Sequence, residues 1–312
     1  MDGILLVIKP PDMTSFDVVA WLRSLTGVKK IGHGGTLDPS ACGLIPVCFG
    51  KATKTIEYFQ NFDKVYRAEM ILGISTNTQD GDGEIVEESD IRPDIDAINA
   101  VFRDFTGEYE QIPPMFSAVK IKGKKLYELA RKGIEIERKE RKVNIKSLKL
   151  LHAELDLKNP VLRFEVRCSK GTYIRTLCHD IGKTLGCGAY MSFLVRTQAG
   201  PFSVCEGLTP EEIKGLCAEN ALNSALKPMD VLFTDYSSVI VDDSQIKKYV
   251  NGMPVMIKGN KSSHGKSRVR VYSEKGLFLG IGLVFPDDGN IMIRSEKLLV
   301  KNPQALTGQV KK

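Results

Sequence analysis

Several absences bound what this chain can be. No apolar run approaches the roughly 20 residues needed to span a bilayer, and the N-terminus Met-Asp-Gly-Ile-Leu-Leu-Val lacks a basic n-region and cleavage site. A cytoplasmic protein is therefore expected. No Cys-x-x-Cys pair occurs among the seven cysteines, an odd number, and there are only four His. Buried reduced thiols are expected, not a disulfide framework or a zinc site. The stretch Gly43 to Lys51 superficially suggests a P-loop, but six residues separate Gly43 from Gly50 where four are required, and Ala52 stands where a magnesium-binding Ser or Thr is needed. His179-Asp180 has no Gly-x-Ser-x-Gly elbow to serve, and adjacent helix residues point about 100° apart. Asp80-Gly-Asp-Gly-Glu84 lacks the remaining ligands of a calcium loop and reads as a hairpin turn. Neither internal repeats nor low-complexity segments are visible. The single Trp, Trp21, reads as packing.

What remains is an ordinary globular composition, 42% apolar and 26% charged, in a chain of 312 residues that is long enough for one large and one small domain. Charge is unevenly placed. Between Ser117 and Leu150 twelve Lys or Arg stand against four Glu, a local excess of +8 that exceeds the chain's net +6 and leaves the remainder at about −2. A second basic cluster, Lys258, Lys261, Lys266, Arg268 and Arg270, contains no acid. Two separated basic blocks favour a polyanionic partner over two solvated faces.

Periodicity predicts a strand over Ile4 to Ile8, then a helix capped by Thr14 or Ser15 and closed by Gly27. Next comes the irregular loop Gly32-His33-Gly34-Gly35-Thr-Leu-Asp38-Pro39, whose glycines can take angles closed to other residues, followed by a buried strand from Leu44 to Phe49. A helix is expected from about Ala52. In the strand Asp63 to Leu72, alternation puts Tyr66, Ala68, Met70 and Leu72 on one face. Further elements are a helix over Asp94 to Phe105, a strand over Phe116 to Ile121, a helix over Leu126 to Lys132, and strands over Val143 to Leu151 and Val161 to Cys168. Thr172 is expected to cap a helix with Leu177, Ile181 and Leu185 on its core face. Arg175 then falls in a first turn, where the helix dipole disfavours a cation, so it needs a carboxylate partner or a functional reason. Thr209-Pro210-Glu-Glu212 is a capping box. From about Asp235 a short helix and strands over Val269 to Tyr272, Phe278 to Val284 and Ile291 to Ile293 read as a small β-barrel.

The wording of these segments resembles the bacterial tRNA pseudouridine synthase B family. The match runs through Gly32-His-Gly-Gly-Thr-Leu-Asp-Pro39, Gly43-Leu-Ile-Pro-Val47 and Gly50-Lys-Ala-Thr-Lys54. It continues in Asp63-Lys-Val-Tyr66-Arg67, Pro113 to Ala118, Lys124 to Arg131, Lys170-Gly-Thr-Tyr-Ile-Arg175 and Leu194-Val-Arg-Thr197, so that it covers about residues 1 to 205. The resemblance implies an α/β (α+β) pseudouridine synthase fold with a central, largely antiparallel mixed sheet flanked by helices. On that reading a catalytic domain spans 1–234, with an RNA-facing insertion at about 110–150, and 235–312 form a PUA-like β-barrel that binds RNA.

It further implies conversion of uridine 55 in the TΨC loop of tRNA to pseudouridine, an isomerisation that needs no cofactor and no metal. Asp38 would be the nucleophile or proton-handling carboxylate, and Arg175 would pair with it, lowering its pKa and fixing its direction. Tyr66 would stack on the flipped uracil and could assist proton removal from C5. Tyr173 and Leu194 would wall the pocket, His33 would take the vacated place in the RNA loop, and Lys54 would hold a phosphate. The expected partner is tRNA, through its T arm and acceptor stem, and the protein is expected to act as a monomer away from membranes. The rival is a tRNA-binding or tRNA-folding module without chemistry. A guide-RNA-dependent relative is disfavoured by the intact segment Phe116 to Arg131 and by the lack of a long basic tail.

Overall fold

A computed structural model describes residues 1–117, 119–121, 123–257 and 266–300. In chain order β1 (Gly3–Lys9), α1 (Ser15–Thr26), β2 (Ile31–His33), β3 (Cys42–Phe49), α2 (Ile56–Asn61), β4 (Lys64–Leu72) and the hairpin β5 (Ile74–Thr76) and β6 (Ile85–Glu88) come first. They are followed by α3 (Ile95–Asp104), β7 (Gly107–Gln111), the short hairpin β8 (Lys120–Ile121) and β9 (Lys124–Lys125), α4 (Leu126–Ala130), β10 (Arg141–Glu154) and β11 (Val161–Cys168). Then come α5 (Ile174–Thr184), β12 (Ala189–Ala199), β13 (Phe202–Ser203) and α6 (Pro210–Ala218). The last part holds β14 (Ser238–Val241), α7 (Asp243–Val250), β15 (Val255–Met256), β16 (Ser267–Ser273), β17 (Phe278–Asp287) and β18 (Asn290–Leu298).

A nine-stranded sheet in the order β1-β3-β12-β4-β11-β10-β7, with β2 and β13 attached at β3 and β12, forms the main body. Its pairings are antiparallel except β12 with β3, so the sheet is mixed and largely antiparallel. The alternation expected for β4 holds: Tyr66, Ala68, Met70 and Leu72 are buried and pack with Phe164 of β11 and with Ile98, Phe102, Leu177 and Ile181 of α3 and α5. Each large side chain so buried contributes roughly 1.5–3 kcal/mol. At the other end of the sheet, Leu5 and Val47 pack on Val18 and Leu22 of α1 and Ile213 of α6. Of the two expected caps Thr14 is the one used, in a capping box with Asp17, and Gly27 closes α1 in the left-handed region. A six-residue 3-10 turn, Gly50–Thr55, precedes α2 where a helix from Ala52 was expected. The expected strand from Phe116 is regular only at Lys120–Ile121.

The C-terminal strands form a five-stranded half-barrel in the order β14-β16-β17-β18-β15 around their own core of Val269, Val271, Leu279, Ile293 and Tyr249. This sheet is joined to the main body by a shared apolar cluster in which Ile281 and Leu299 meet Ile4, Phe59, Phe202 and Phe233. Phe233 lies within that contact, edge-on to Tyr58 at 4.8 Å and stacked with Tyr236 at 5.9 Å. Lys258 and Lys261 of the second basic cluster lie outside the described residues. Among the described residues no helix is long and apolar enough to cross a membrane.

Candidate active site

The loop between β2 and β3 is held rigidly by three buried polar side chains from distant parts of the chain. Lys9, fully buried at the end of β1, donates its three ammonium protons to the carbonyls of Pro10 (2.9 Å), Met13 (2.7 Å) and Pro39 (3.0 Å). Burial lowers its pKa, and the nearby Cys42 and Asp38 partly restore it. Ser15 Oγ accepts from Leu37 N (2.8 Å) and donates to Leu37 O (3.1 Å). Arg196 of β12 is 1% exposed and donates to Leu44 O (2.7 Å), Thr36 O (3.2 Å) and Gly35 O (3.3 Å). Such a loop cannot drift, because each lost bond would strand a buried polar group at about 1–3 kcal/mol.

The glycines of this loop serve a different purpose from the one expected. None of Gly32, Gly34 and Gly35 takes a left-handed backbone. A Cβ on Gly32 would lie 2.8 Å from Ile56 Cδ1, and one on Gly34 2.6 Å from the Phe59 ring, so the missing side chains let the loop press against α2. Gly43 does require its freedom, with φ at +101° and a Cβ position 2.4 Å from Arg196 O.

Asp38, carried on this frame, meets Arg175 from the first turn of α5: Arg175 Nε lies 2.9 Å from Asp38 Oδ2. The arginine is otherwise enclosed. Its Nη1 donates to Asp80 Oδ2 (3.1 Å) and Thr78 O (3.3 Å), and its Nη2 donates to Phe116 O (2.9 Å). Side-chain exposure is 6% for Arg175, 9% for Asp80 and 35% for Asp38. Of the three charges only Asp38 keeps an open edge. Burial raises its pKa above the ordinary aspartate value; Arg175 opposes this most strongly, Asp80 adds to it, and Lys9 opposes it weakly. The net direction is thus opposite to the one expected from the arginine alone, since desolvation outweighs the pairing.

Tyr66 is buried on β4 directly across from Arg196 on β12, whose guanidinium opposes the upward push of burial on the phenol pKa. Leu194 is 7% exposed and lines a small pocket with Ser40, Ala41, Asp80 and Phe193, next to the Asp38 loop. Tyr173 is the residue that precedes α5 and thus sits two positions from Arg175; Thr172, expected to cap the helix, turns back to Ser169 O instead (3.0 Å). His33 ends β2 at the loop's entry, and burial pushes its pKa below the ordinary histidine value. Lys54 is not in this cluster: its ammonium donates to Leu298 O of β18 (3.1 Å), at the junction with the C-terminal sheet. Among the described residues no group of three or more His, Cys, Asp or Glu is placed to hold a metal ion.

Three members of the site escaped the sequence. Asp80 had a complete local explanation as a turn residue, and it is buried only because its loop pairs with Met191 of β12. Lys9 reads as the polar end of a strand. Arg196 could have been found, since alternation from Leu194 puts it on the inward face of β12.

A family model described as TruB family pseudouridylate synthase, N-terminal domain, matches residues 23–174. The tRNA pseudouridylate synthase B C-terminal domain matches 175–234, and a TruB C-terminal model of pseudouridine synthase II matches 237–293. Curated relatives named tRNA pseudouridine synthase B include those of Alkaliphilus oremlandii, 48% identical over 93% of this chain and 95% of that one, and of Clostridioides difficile, 41% identical over 96% and 100%. Among solved structures, a chain from a Cbf5-Nop10-Gar1 complex is 28% identical with a TM-score of 0.71, covering 96% of this chain and 85% of that one. A chain from an H/ACA ribonucleoprotein bound to a substrate RNA is 25% identical with a TM-score of 0.70 and the same coverage. With near full-length matches of this strength on both sides, the chain belongs to the TruB family of pseudouridine synthases.

Proposed function

We propose that this protein is a tRNA pseudouridine synthase that isomerises uridine 55 of the TΨC loop. The observation that carries the proposal is a carboxylate, Asp38, clamped by a buried arginine and open on one edge beside a small pocket. Isomerisation moves the glycosidic bond from N1 to C5 with no change of redox state and no loss of atoms. It therefore needs a positioned carboxylate and an extruded base, not a cofactor. Asp38 acts as nucleophile or proton-handling group once ionised, and Arg175 fixes its direction. Tyr66 stacks on the uracil, and Tyr173 and Leu194 wall it in. Extrusion costs a few kcal/mol, offset by that stacking and by His33 filling the vacated place in the RNA.

In this reading residues 1–234 form the catalytic domain and 235–312 a PUA-like RNA-binding domain. The segment at about 110–150 grips the T arm, the C-terminal sheet reaches toward the acceptor stem, and the protein works as a cytoplasmic monomer. Lys54, which gives one ammonium proton to Leu298 O, would meet a phosphate at the junction with the C-terminal sheet. The curated relatives at 41–48% identity favour direct tRNA recognition over a guide-RNA assembly.

The test is an unmodified T-arm stem-loop transcript incubated with the protein and assayed for pseudouridine at each uridine. Pseudouridine at position 55 alone is expected. Binding without isomerisation would instead support a tRNA-folding module on the same scaffold.

A further inference from the structure

The start of α5 lacks a side-chain cap of its own, although it carries Arg175 in its first turn. The N–H of Tyr173 is met instead by Gln111, the last residue of β7, 62 positions earlier in the chain, which also donates to the Tyr173 carbonyl beside the helix bond from Leu177 N. Gln111 Oε1 accepts from Tyr173 N (2.8 Å), and Gln111 Nε2 donates to Tyr173 O (3.0 Å) and to the Tyr109 hydroxyl. Gln111 is 1% exposed. The amide thus pairs with residue 173 as a peptide group pairs across a sheet. It fixes both the place and the rotation of the backbone two residues before Arg175. A Glu or Gln three residues into the helix would satisfy the same N–H group locally, as in a capping box. It would leave the helix start free of the sheet.

Resting on the function proposed above, we infer that Gln111 is a positioning residue for the isomerisation, holding Tyr173 and Arg175 in register with Asp38. The same stretch of chain also reaches the arginine's head, because Phe116 O, five residues on, accepts from Arg175 Nη2. Arg175 is therefore held from its backbone by the end of β7 and from its guanidinium by the segment that follows. Neither contact uses a charged side chain of the basic stretch Ser117 to Leu150, so loosening Gln111 slows the chemical step more than it weakens binding. A misplacement on the order of 1 Å can cost about 100-fold in rate. The pH profile moves as well. Asp38 is faced by Arg175 from α5, Asp80 from the β5–β6 loop and Lys9 from β1; with Arg175 loosened, its restraint on the raised pKa of Asp38 weakens and the acid limb shifts to higher pH.

The experiment compares wild type, Gln111→Met and Gln111→Glu in single-turnover pseudouridine formation, in binding of a T-arm stem-loop, and in thermal melting. Methionine keeps the volume and removes both bonds to Tyr173; glutamate keeps the acceptor for Tyr173 N and loses the donor to its carbonyl. Expected is a rate loss of at least about tenfold with Kd within about twofold and the acid limb moved up in pH. A folded Gln111→Met protein with the wild-type rate overturns the inference and leaves the proposed function intact. So does a rate loss matched by an equal loss of RNA binding, or one that disappears on cooling. Should Gln111→Met not fold, Gln111→Glu decides by the same criteria. Wild-type protein that makes no pseudouridine takes down both this inference and the proposed function.

Discussion

Two arginines grip carboxylates in this molecule, one beside the Asp38 loop and one on the C-terminal sheet. By distance alone the second is the tighter: Arg268 holds both oxygens of Glu296, at 3.0 and 2.9 Å from Nε and 2.7 Å from Nη2, whereas Arg175 offers one nitrogen to each of two acids. Their surroundings reverse the ranking. Arg268 is 55% exposed and Arg175 6%. In water an ion pair contributes about 0–1 kcal/mol, while removing one partner of a buried pair costs about 3–5 kcal/mol, because the other charge is stranded. What separates the two arginines is the solvent denied to Arg175.

That contrast can be broken by substitution. Arg175→Met strands Asp80 and leaves Asp38 without its main counter-charge; the rate of pseudouridine formation should fall by about a thousandfold or more, with a melting temperature well below wild type. Asp80→Asn keeps the volume and removes one of the arginine's two acids, and a loss of about a hundredfold in single-turnover rate is expected. The acid limbs of the two variants sharpen the comparison by their sign. Arg175 lowers and Asp80 raises the pKa of Asp38, which burial has already lifted. On the proposed mechanism activity needs the ionised form and is lost as pH falls through that pKa. The limb should therefore move to higher pH in Arg175→Met and to lower pH in Asp80→Asn, as measured by pH–rate profiles. Arg268→Ala should change stability by less than about 1 kcal/mol in denaturant unfolding. A large loss there would erase the distinction between the two pairs.

The framework of the fold was legible because it rests on local pattern. The alternation in β4, the capping boxes at Thr14 and Thr209 and the closing glycine after α1 each sit where their residue chemistry puts them. The pairing of Asp38 with Arg175 was legible only through the resemblance, since nothing in the spacing of two residues so far apart brings them together. Where a position had two explanations, the tertiary one prevailed. Asp80 is chemically at ease in a Gly-rich turn, and only its docking on β12 turns it into an arginine ligand. Thr172 looks like a cap, yet the helix start is satisfied by a glutamine from another strand. Gly32 and Gly34 were read for backbone freedom and are needed instead for the close approach of α2.

The most direct measurement is parallel binding and turnover of an unmodified T-arm stem-loop by wild type and Asp38→Asn. The account predicts that the variant binds the RNA as wild type does while pseudouridine formation falls by about 10⁴-fold or more. Pseudouridine formed at an undiminished rate by Asp38→Asn would contradict it.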